Sequence, residues 1–135
     1  MKKVLIIDSY QSEAYAQMLQ KAYGESAAVT PLFRNLRNEE IDRLVDRDMT
    51  LFDEIKRTEV SGETYDVLFI SGMLLVDKLL NAEKMKNQYG TSNAKIVVFS
   101  TMASLLDVKG VDHAFDKNKL TLETPGTKEE LLSFL

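Results

Sequence analysis

Short apolar runs and segments of helical spacing alternate along the chain. Four runs predict buried strands: Lys3–Asp8, Ala27–Phe33, Asp66–Ser71 and Ala94–Ser100. A weaker run around His113–Lys117 predicts a fifth strand. Pro31, in the second run, has no N–H to give to a strand ladder, so we expect that strand at an edge of the sheet.

The segments between the strands show the periodicity of amphipathic helices. The first has apolar positions at Tyr10, Ala14, Tyr15, Met18, Leu19 and Ala22. Ser9 is its candidate N-cap, and Gly24 should end it. The second, Asn38–Glu59, has one apolar stripe opposite a charged face. It would run about 30 Å, which is unusually long for so small a domain.

Three further helices are predicted in the second half of the chain. One covers about Leu74–Tyr89 and is ended by Gly90, and a short apolar-faced helix follows in the stretch MASLLDV. A capping box of Thr127 and Glu130 predicts the start of a last helix.

This order of elements predicts the fold class. Strands that alternate with helices form a parallel sheet covered by helices on both faces. With the second strand at an edge, we expect a three-layer, doubly wound α/β fold with five strands in the flavodoxin-like order 2-1-3-4-5 and a long second helix. A chain of 135 residues has the usual size of one domain, so residues 1–135 are predicted to form a single domain.

Composition excludes several kinds of site. The chain has no cysteine and only one histidine, His113, so thiolate and multi-histidine metal sites are impossible. A net charge of −4 argues against binding to nucleic acid or to an anionic membrane. No apolar run approaches the ~20 residues of a membrane span. The first apolar run, Val4–Ile7, is too short for a signal peptide, so a cytoplasmic protein is expected.

Open α/β sheets bind ligands at the carboxyl ends of their strands. The residues expected there are Asp8, Ser9, Ser71, Ser100 and Lys117. Around them, the segments VLIIDS, YDVLFISGML, IVVFST and VDHAFDKN resemble, in order, the signature segments of the response-regulator receiver domain (CheY-like). The resemblance covers nearly the whole chain.

The resemblance implies a role for each position. In receivers, two acidic residues after strand one bind Mg²⁺, and an Asp after strand three accepts a phosphoryl group. A Ser or Thr after strand four contacts that group, and a Lys after strand five, usually followed by Pro, pairs with it. Here Asp8, Ser100 and Lys117 match the pattern, whereas Ser9 replaces the second acid and Ser71 replaces the phosphoacceptor.

Two further positions also depart from the pattern. Asn118 replaces the usual proline, and the aromatic switch position of strand five falls on Ala114. A cis bond before a residue other than proline costs ~2.5–4 kcal/mol, so the Lys117–Asn118 bond is expected to be trans.

These substitutions remove the groups that receivers use to bind Mg²⁺ and to accept a phosphoryl group. Mg²⁺ prefers carboxylate oxygens, and the matched positions hold only one carboxylate, Asp8, opposite the ammonium of Lys117. A serine hydroxyl is a poor nucleophile without an adjacent base, and these strand ends supply no histidine or second acid. The sequence therefore predicts a degenerate receiver with no bound metal or cofactor and no enzymatic activity.

The predicted function is a regulatory module that acts through a protein partner or through self-association. Receivers commonly use the face formed by helix four, strand five and helix five. On this chain the residues expected on that face are Met102, Leu105, Leu106, Ala114 and Phe115.

Other interpretations stay open. A flavodoxin-like protein or enzyme could bind a flavin or nucleotide in the cleft of Ser9, Ser71, Ser100 and Lys117. Asp8 and Lys117 could instead form a purely structural ion pair, with Ser71 a small loop residue. The Met102–Leu106 segment could belong to the core. The long helix Asn38–Glu59 could form a dimer seam.

Overall fold

A computed structural model describes residues 1–7, 12–32, 39, 63–72, 82–100, 109–119 and 124–135. The strands are β1 (Lys2–Ile7), β2 (Ala27–Leu32), β3 (Tyr65–Ser71), β4 (Gly90–Ser100) and β5 (His113–Asp116). The α-helices are α1 (Ser12–Tyr23), α2 (Ala82–Tyr89) and α3 (Thr127–Ser133), and short 3₁₀ turns cover Gly24–Ser26 and Lys117–Lys119. Apart from Glu39, the predicted long helix lies outside the described residues, and so does the MASLLDV helix.

The five strands form one parallel sheet in the order β2-β1-β3-β4-β5. This confirms the predicted α/β fold class and strand order. β2 lies at an edge, where Pro31 stands in register with Ile6 of β1. The imide nitrogen of proline cannot donate to a neighbouring strand, which explains why this strand takes the edge position.

Both faces of the sheet are buried, which explains why the strands read as nearly continuous apolar runs. One face packs against α2, through Leu5, Ile7, Leu68, Ile70, Ile96 and Val98 of the strands and Ala82, Met85 and Tyr89 of the helix. The other face packs against α1 and α3, through Val4, Ile6, Val67, Phe69, Val97, Phe99 and Phe115 of the strands and Ala16, Leu19, Ala22, Leu131 and Phe134. The described layers are therefore helix, sheet and helix.

Helix α1 buries much of the predicted stripe, including Leu19 and Ala22, and also buries Ala16 and Tyr23. Ala14 is exposed, Tyr15 and Met18 are half-buried, and the buried stripe runs through Leu19 and Tyr23. The Tyr23 hydroxyl donates to the carbonyl oxygen of Leu131 at 2.9 Å, which ties α1 to α3. Burial raises the pKa of the Tyr23 phenol above its ordinary value of 10.0. Tyr23 is a buried residue of α1 that the predicted stripe did not include.

The Gln20 side chain anchors the edge strand to α1. Its Oε1 accepts a hydrogen bond from the Val29 amide at 2.9 Å, and its Nε2 donates to the Ala27 carbonyl at 2.8 Å. The same amide nitrogen also donates to the Gly24 carbonyl at 3.0 Å. Gly24 ends α1 as predicted, with a φ of 58° that favours glycine.

Strand β4 begins earlier than predicted, at Gly90 rather than Ala94. Tyr65 of β3 is in register with Gly90 of β4, and Val67 of β3 is in register with Lys95 of β4. Because β4 has more residues than β3 between these two pairs, it bulges there. A Cβ atom on Gly90 would lie 2.6 Å from the Lys86 carbonyl oxygen, so only glycine fits this junction between α2 and β4.

The predicted capping box of Thr127 and Glu130 is wrong. The N-cap of α3 is Gly126, with a φ of 84° and no side-chain cap, and Thr127 is already inside the helix. The buried Thr127 hydroxyl donates instead to the carbonyl oxygen of Lys119 at 2.8 Å. This tertiary hydrogen bond satisfies the hydroxyl that the predicted cap would have used. None of the described helices has the length and apolar character of a membrane span.

Candidate functional site

The described strands end together at one edge of the sheet. Ile7 is in register with Ile70, Ser71 with Phe99, and Ser100 with Asp116. The carboxyl ends of β1, β3, β4 and β5 are therefore neighbours. This is the edge at which open α/β sheets bind their ligands. Ser71, Ser100 and Lys117 all lie at this edge. Asp8 and Ser9 lie outside the described residues.

Ser71 is the last residue of β3 and is buried, with 2% of its surface exposed. In the resemblance, this is the position of the phosphoacceptor. Its hydroxyl is enclosed by the protein, so a phosphodonor in solution could not reach it without movement of the surrounding chain. Burial also argues against Ser71 as a substrate for a protein kinase.

Lys117 begins the 3₁₀ turn that follows β5, and its side chain is half-buried. Its Nζ lies 3.5 Å from the Ser71 Oγ, the long limit of a hydrogen bond. Because β4 lies between β3 and β5, the lysine side chain must cross the end of β4 to reach Ser71. The structure thus brings together the two residues that the resemblance places at the phosphoacceptor and lysine positions.

Two aromatic rings also contact the lysine. The Nζ atom lies 5.1 Å from the ring centroid of Tyr15 and 5.2 Å from that of Phe99. Both distances are within the ≈ 6 Å at which a ring attracts a cation. In the sequence, Tyr15 belongs only to the predicted apolar stripe of α1. Its helical spacing is that of a core residue, so the sequence carried no signal for this second role.

The backbone around Lys117 is fixed from both sides. The Asn118 amide donates to the Asp116 Oδ1 at 2.9 Å, which closes a local Asx-type turn. The Thr127 hydroxyl holds the carbonyl of Lys119, at the other end of the 3₁₀ turn. The Lys117–Asn118 bond is trans, as predicted. Asp116, which sequence analysis did not single out, shapes this loop.

The remaining predicted positions have different outcomes. Ser100 ends β4 and is half-buried. Ala114, also half-buried, packs against the α2-side core. Phe115 is 2% exposed and stacks on Phe99 with their ring centroids 5.9 Å apart, so its predicted place on a partner face is wrong: it is a core residue. Met102, Leu105 and Leu106 lie outside the described residues.

The described residues offer no cluster of three or more His, Cys, Asp or Glu side chains that could hold a metal ion. A cleft of about 380 Å³ lies at the opposite, amino edge of the sheet. Its lining includes Lys2, Asp66 and Lys95 together with Thr91–Asn93. Its wall carries both signs of charge.

No protein-family model matches the sequence, and no match is found among curated proteins. A solved structure from Burkholderia thailandensis E264, provisionally described as a pilus assembly protein (CpaE), matches with a TM-score of 0.59. The match covers 99% of this chain and 98% of that one, at 19% sequence identity. The chain has a receiver-like fold. At this identity the likeness concerns the fold, and receiver-like describes the arrangement of strands and helices.

Proposed function

We propose that the chain is a pseudo-receiver domain, a non-enzymatic regulatory module that acts through contact with another protein. One observation carries the proposal: the residue at the phosphoacceptor position is a buried serine whose hydroxyl faces Lys117 at 3.5 Å. A receiver that works by phosphorylation needs an accessible carboxylate there. The receiver-like fold supports the same proposal, as does the single carboxylate at the matched positions.

The electrostatics of the site favour this proposal over phosphoryl transfer. Mg²⁺ is a hard cation that needs several oxygen ligands, with carboxylates the strongest among them. Serine at positions 9 and 71 removes two of the three carboxylates that the resemblance would supply. Lys117 is retained, so the cation that would pair with a phosphoryl group remains while the groups that would hold the metal do not.

The flavodoxin-like alternative is less well supported by the described residues. Ser71 is buried, and its hydroxyl already faces the lysine, so it presents no surface to a flavin or nucleotide. Lys117 is held over two rings and points toward β3. The cytoplasmic location expected from the sequence stays a prediction.

Phosphodonor labelling tests the absence of receiver chemistry. The purified chain is incubated with acetyl phosphate and Mg²⁺, and its intact mass is measured, with a phosphorylatable receiver domain in a parallel reaction as the positive control. We expect no phosphoryl adduct. An adduct that depends on Mg²⁺ and is lost in Ser71→Ala would contradict the proposal.

The partner surface proposed here includes α3, which follows β5 in the chain. Leu132 of α3 is 38% exposed and is one of the two exposed large apolar side chains among the described residues, the other being Met1. The ring of Phe134, just after α3, lies 5.1 Å from that of His113 on β5, so helix and strand adjoin. Ala114 of the predicted face lies on the same strand.

Sedimentation velocity tests whether the partner is a second copy of the chain. We expect association to increase with concentration and to weaken in Leu132→Gln. The matched control is Ser133→Gln, which changes the neighbouring exposed position and should leave association unchanged. A monomer at every concentration would contradict self-association.

A further inference from the structure

Tyr15 links α1 to the end of β4 beside the candidate site. Its ring is half-buried and meets the Phe99 ring edge to face, with centroids 4.8 Å apart and planes at 80°. Such T-shaped pairs are a favoured geometry for aromatic side chains. The contact fixes the Tyr15 ring next to the strand end that Lys117 must cross.

The Lys117 ammonium lies over this pair of rings. Its distances of 5.1 Å to Tyr15 and 5.2 Å to Phe99 place it against both. The same atom is 3.5 Å from the Ser71 hydroxyl. Contacts from α1, β4 and β3 therefore converge on one cation, and two aromatic rings are among them.

We propose that Tyr15 is a positioning residue which, with Phe99, holds the Lys117 ammonium against Ser71. A free lysine side chain samples many rotamers, and ordering it costs conformational entropy. Attraction to the two ring faces offsets that cost, because the ring quadrupole favours a cation above it. The carboxyl edge of the sheet is thereby preset in one arrangement, with the lysine in place without a phosphoryl group to attract it.

This inference rests on the proposed pseudo-receiver function and extends it. The two rings of Tyr15 and Phe99 that hold the lysine are called the clamp here. A receiver with a mobile lysine can act as a switch, whereas one whose lysine is held by the clamp acts as a fixed scaffold. Tyr15 is the member of the clamp that can be tested, because Phe99 is completely buried in the core and its removal would compromise folding. The tyrosine hydroxyl is not required for the clamp, so phenylalanine should replace tyrosine there.

Lysine reactivity measures the clamp directly. The folded chain is treated with limiting N-hydroxysuccinimidyl acetate, and the acetylation rate of each lysine is followed by peptide mass spectrometry. Lys119, exposed in the same 3₁₀ turn, is the internal reference. We expect Tyr15→Leu to raise the rate at Lys117 by about 2- to 10-fold, the range that corresponds to one ring's attraction for a cation. The rate at Lys119 should not change.

Two variants separate positioning from general packing. Tyr15→Phe keeps the ring and should restore the wild-type rate at Lys117. Met18→Leu alters another half-buried position of α1 and should also leave that rate unchanged. A rate at Lys117 that is the same in folded Tyr15→Leu and in wild type would overturn the inference. Equal acceleration in Met18→Leu would do so as well.

A second measurement is made on the wild-type chain, and a variant serves only to assign the resonance. In the wild-type chain, lysines are reductively ¹³C-dimethylated, which keeps their charge, and the Lys117 resonance is assigned from its loss in Lys117→Arg. Methyl groups held over two rings should resonate upfield of those on Lys119. A Lys117 resonance that coincides with the exposed lysines would overturn the inference. Failure of the proposed function, by contrast, would show as acetyl phosphate labelling, which these measurements do not detect.

Discussion

The Lys117 ammonium lies 3.5 Å from the Ser71 hydroxyl, which joins residues 46 positions apart in the sequence. The two residues belong to the ends of β5 and β3, and the lysine spans the intervening β4 to make the contact. In the resemblance to receivers these are the phosphoacceptor and lysine positions, and the first of them holds a hydroxyl here.

Ser71→Ala should reduce stability only slightly. The contact with Lys117 is long, and the two rings still hold the ammonium, so we expect a loss of about 0.5–1 kcal/mol in the free energy of unfolding. Chemical denaturation measures it, with Ser92→Ala at an exposed position as the control. A loss several times larger would mean that the hydroxyl is the main anchor of the lysine.

Tyr23→Phe should destabilise the chain through the buried carbonyl of Leu131. The Leu131 carbonyl also accepts from the Phe134 amide at 3.2 Å, so it loses one of two donors, which costs about 0.5–1.5 kcal/mol. Thermal or urea unfolding at neutral pH measures the effect. An unchanged midpoint would show that the hydroxyl bond adds nothing to the one from the Phe134 amide.

The same tyrosine should make stability fall at alkaline pH. Burial raises the pKa of Tyr23 in the folded state, so its contribution is complete below pH 10.0, the unfolded value, and is lost as pH rises through the folded pKa. Lysines also titrate in this range, so the informative quantity is the difference between wild type and Tyr23→Phe. That difference should shrink above pH 10.0, and a constant difference would contradict the assignment.

Gln20→Ala should loosen the edge strand. It removes the acceptor of the Val29 amide and the donor to the Ala27 carbonyl, and we expect a loss of about 1–3 kcal/mol. The Val29 amide should also exchange with solvent deuterium faster. Gln17→Ala, on the exposed face of the same helix, is the matched control and should change neither quantity. Equal effects of the two substitutions would contradict the anchoring role.

Phe115→Ala should lower stability by about 3–5 kcal/mol, the cost typical of an aromatic side chain removed from a core. The residue is 2% exposed and packs on Phe99 and Phe134. Urea denaturation measures the loss. Near-wild-type stability of Phe115→Ala would contradict the assignment of Phe115 to the core and would favour the predicted partner face.

The fold could be predicted because its signals are local. Each strand is an apolar run with both faces buried, and Pro31 alone places β2 at the edge and so favours the observed strand order. The start of β4 was missed because residues 90–93 form a bulge whose register depends on Tyr65 of another strand. Strand pairing of this kind leaves no mark in the local sequence.

The candidate site could be predicted only in part. Ser71 and Lys117 were found because they follow strands, and strand ends share an edge. The Tyr15 contact was missed because a ring facing a lysine and a ring facing the core have the same helical spacing. The capping box failed for a similar reason, since the Thr127 hydroxyl bonds to Lys119, eight residues away in the sequence.

The central claim is that the carboxyl edge of this sheet has too few anionic oxygens to hold Mg²⁺. The most direct measurement is a Mg²⁺ titration of the ¹⁵N-labelled chain, followed at the backbone amides of Ser71 and Lys117, with reversal by a chelator as the check on specificity. We predict that these resonances do not move at millimolar Mg²⁺. Saturable, chelator-reversible shifts at Ser71 and Lys117 would contradict the claim.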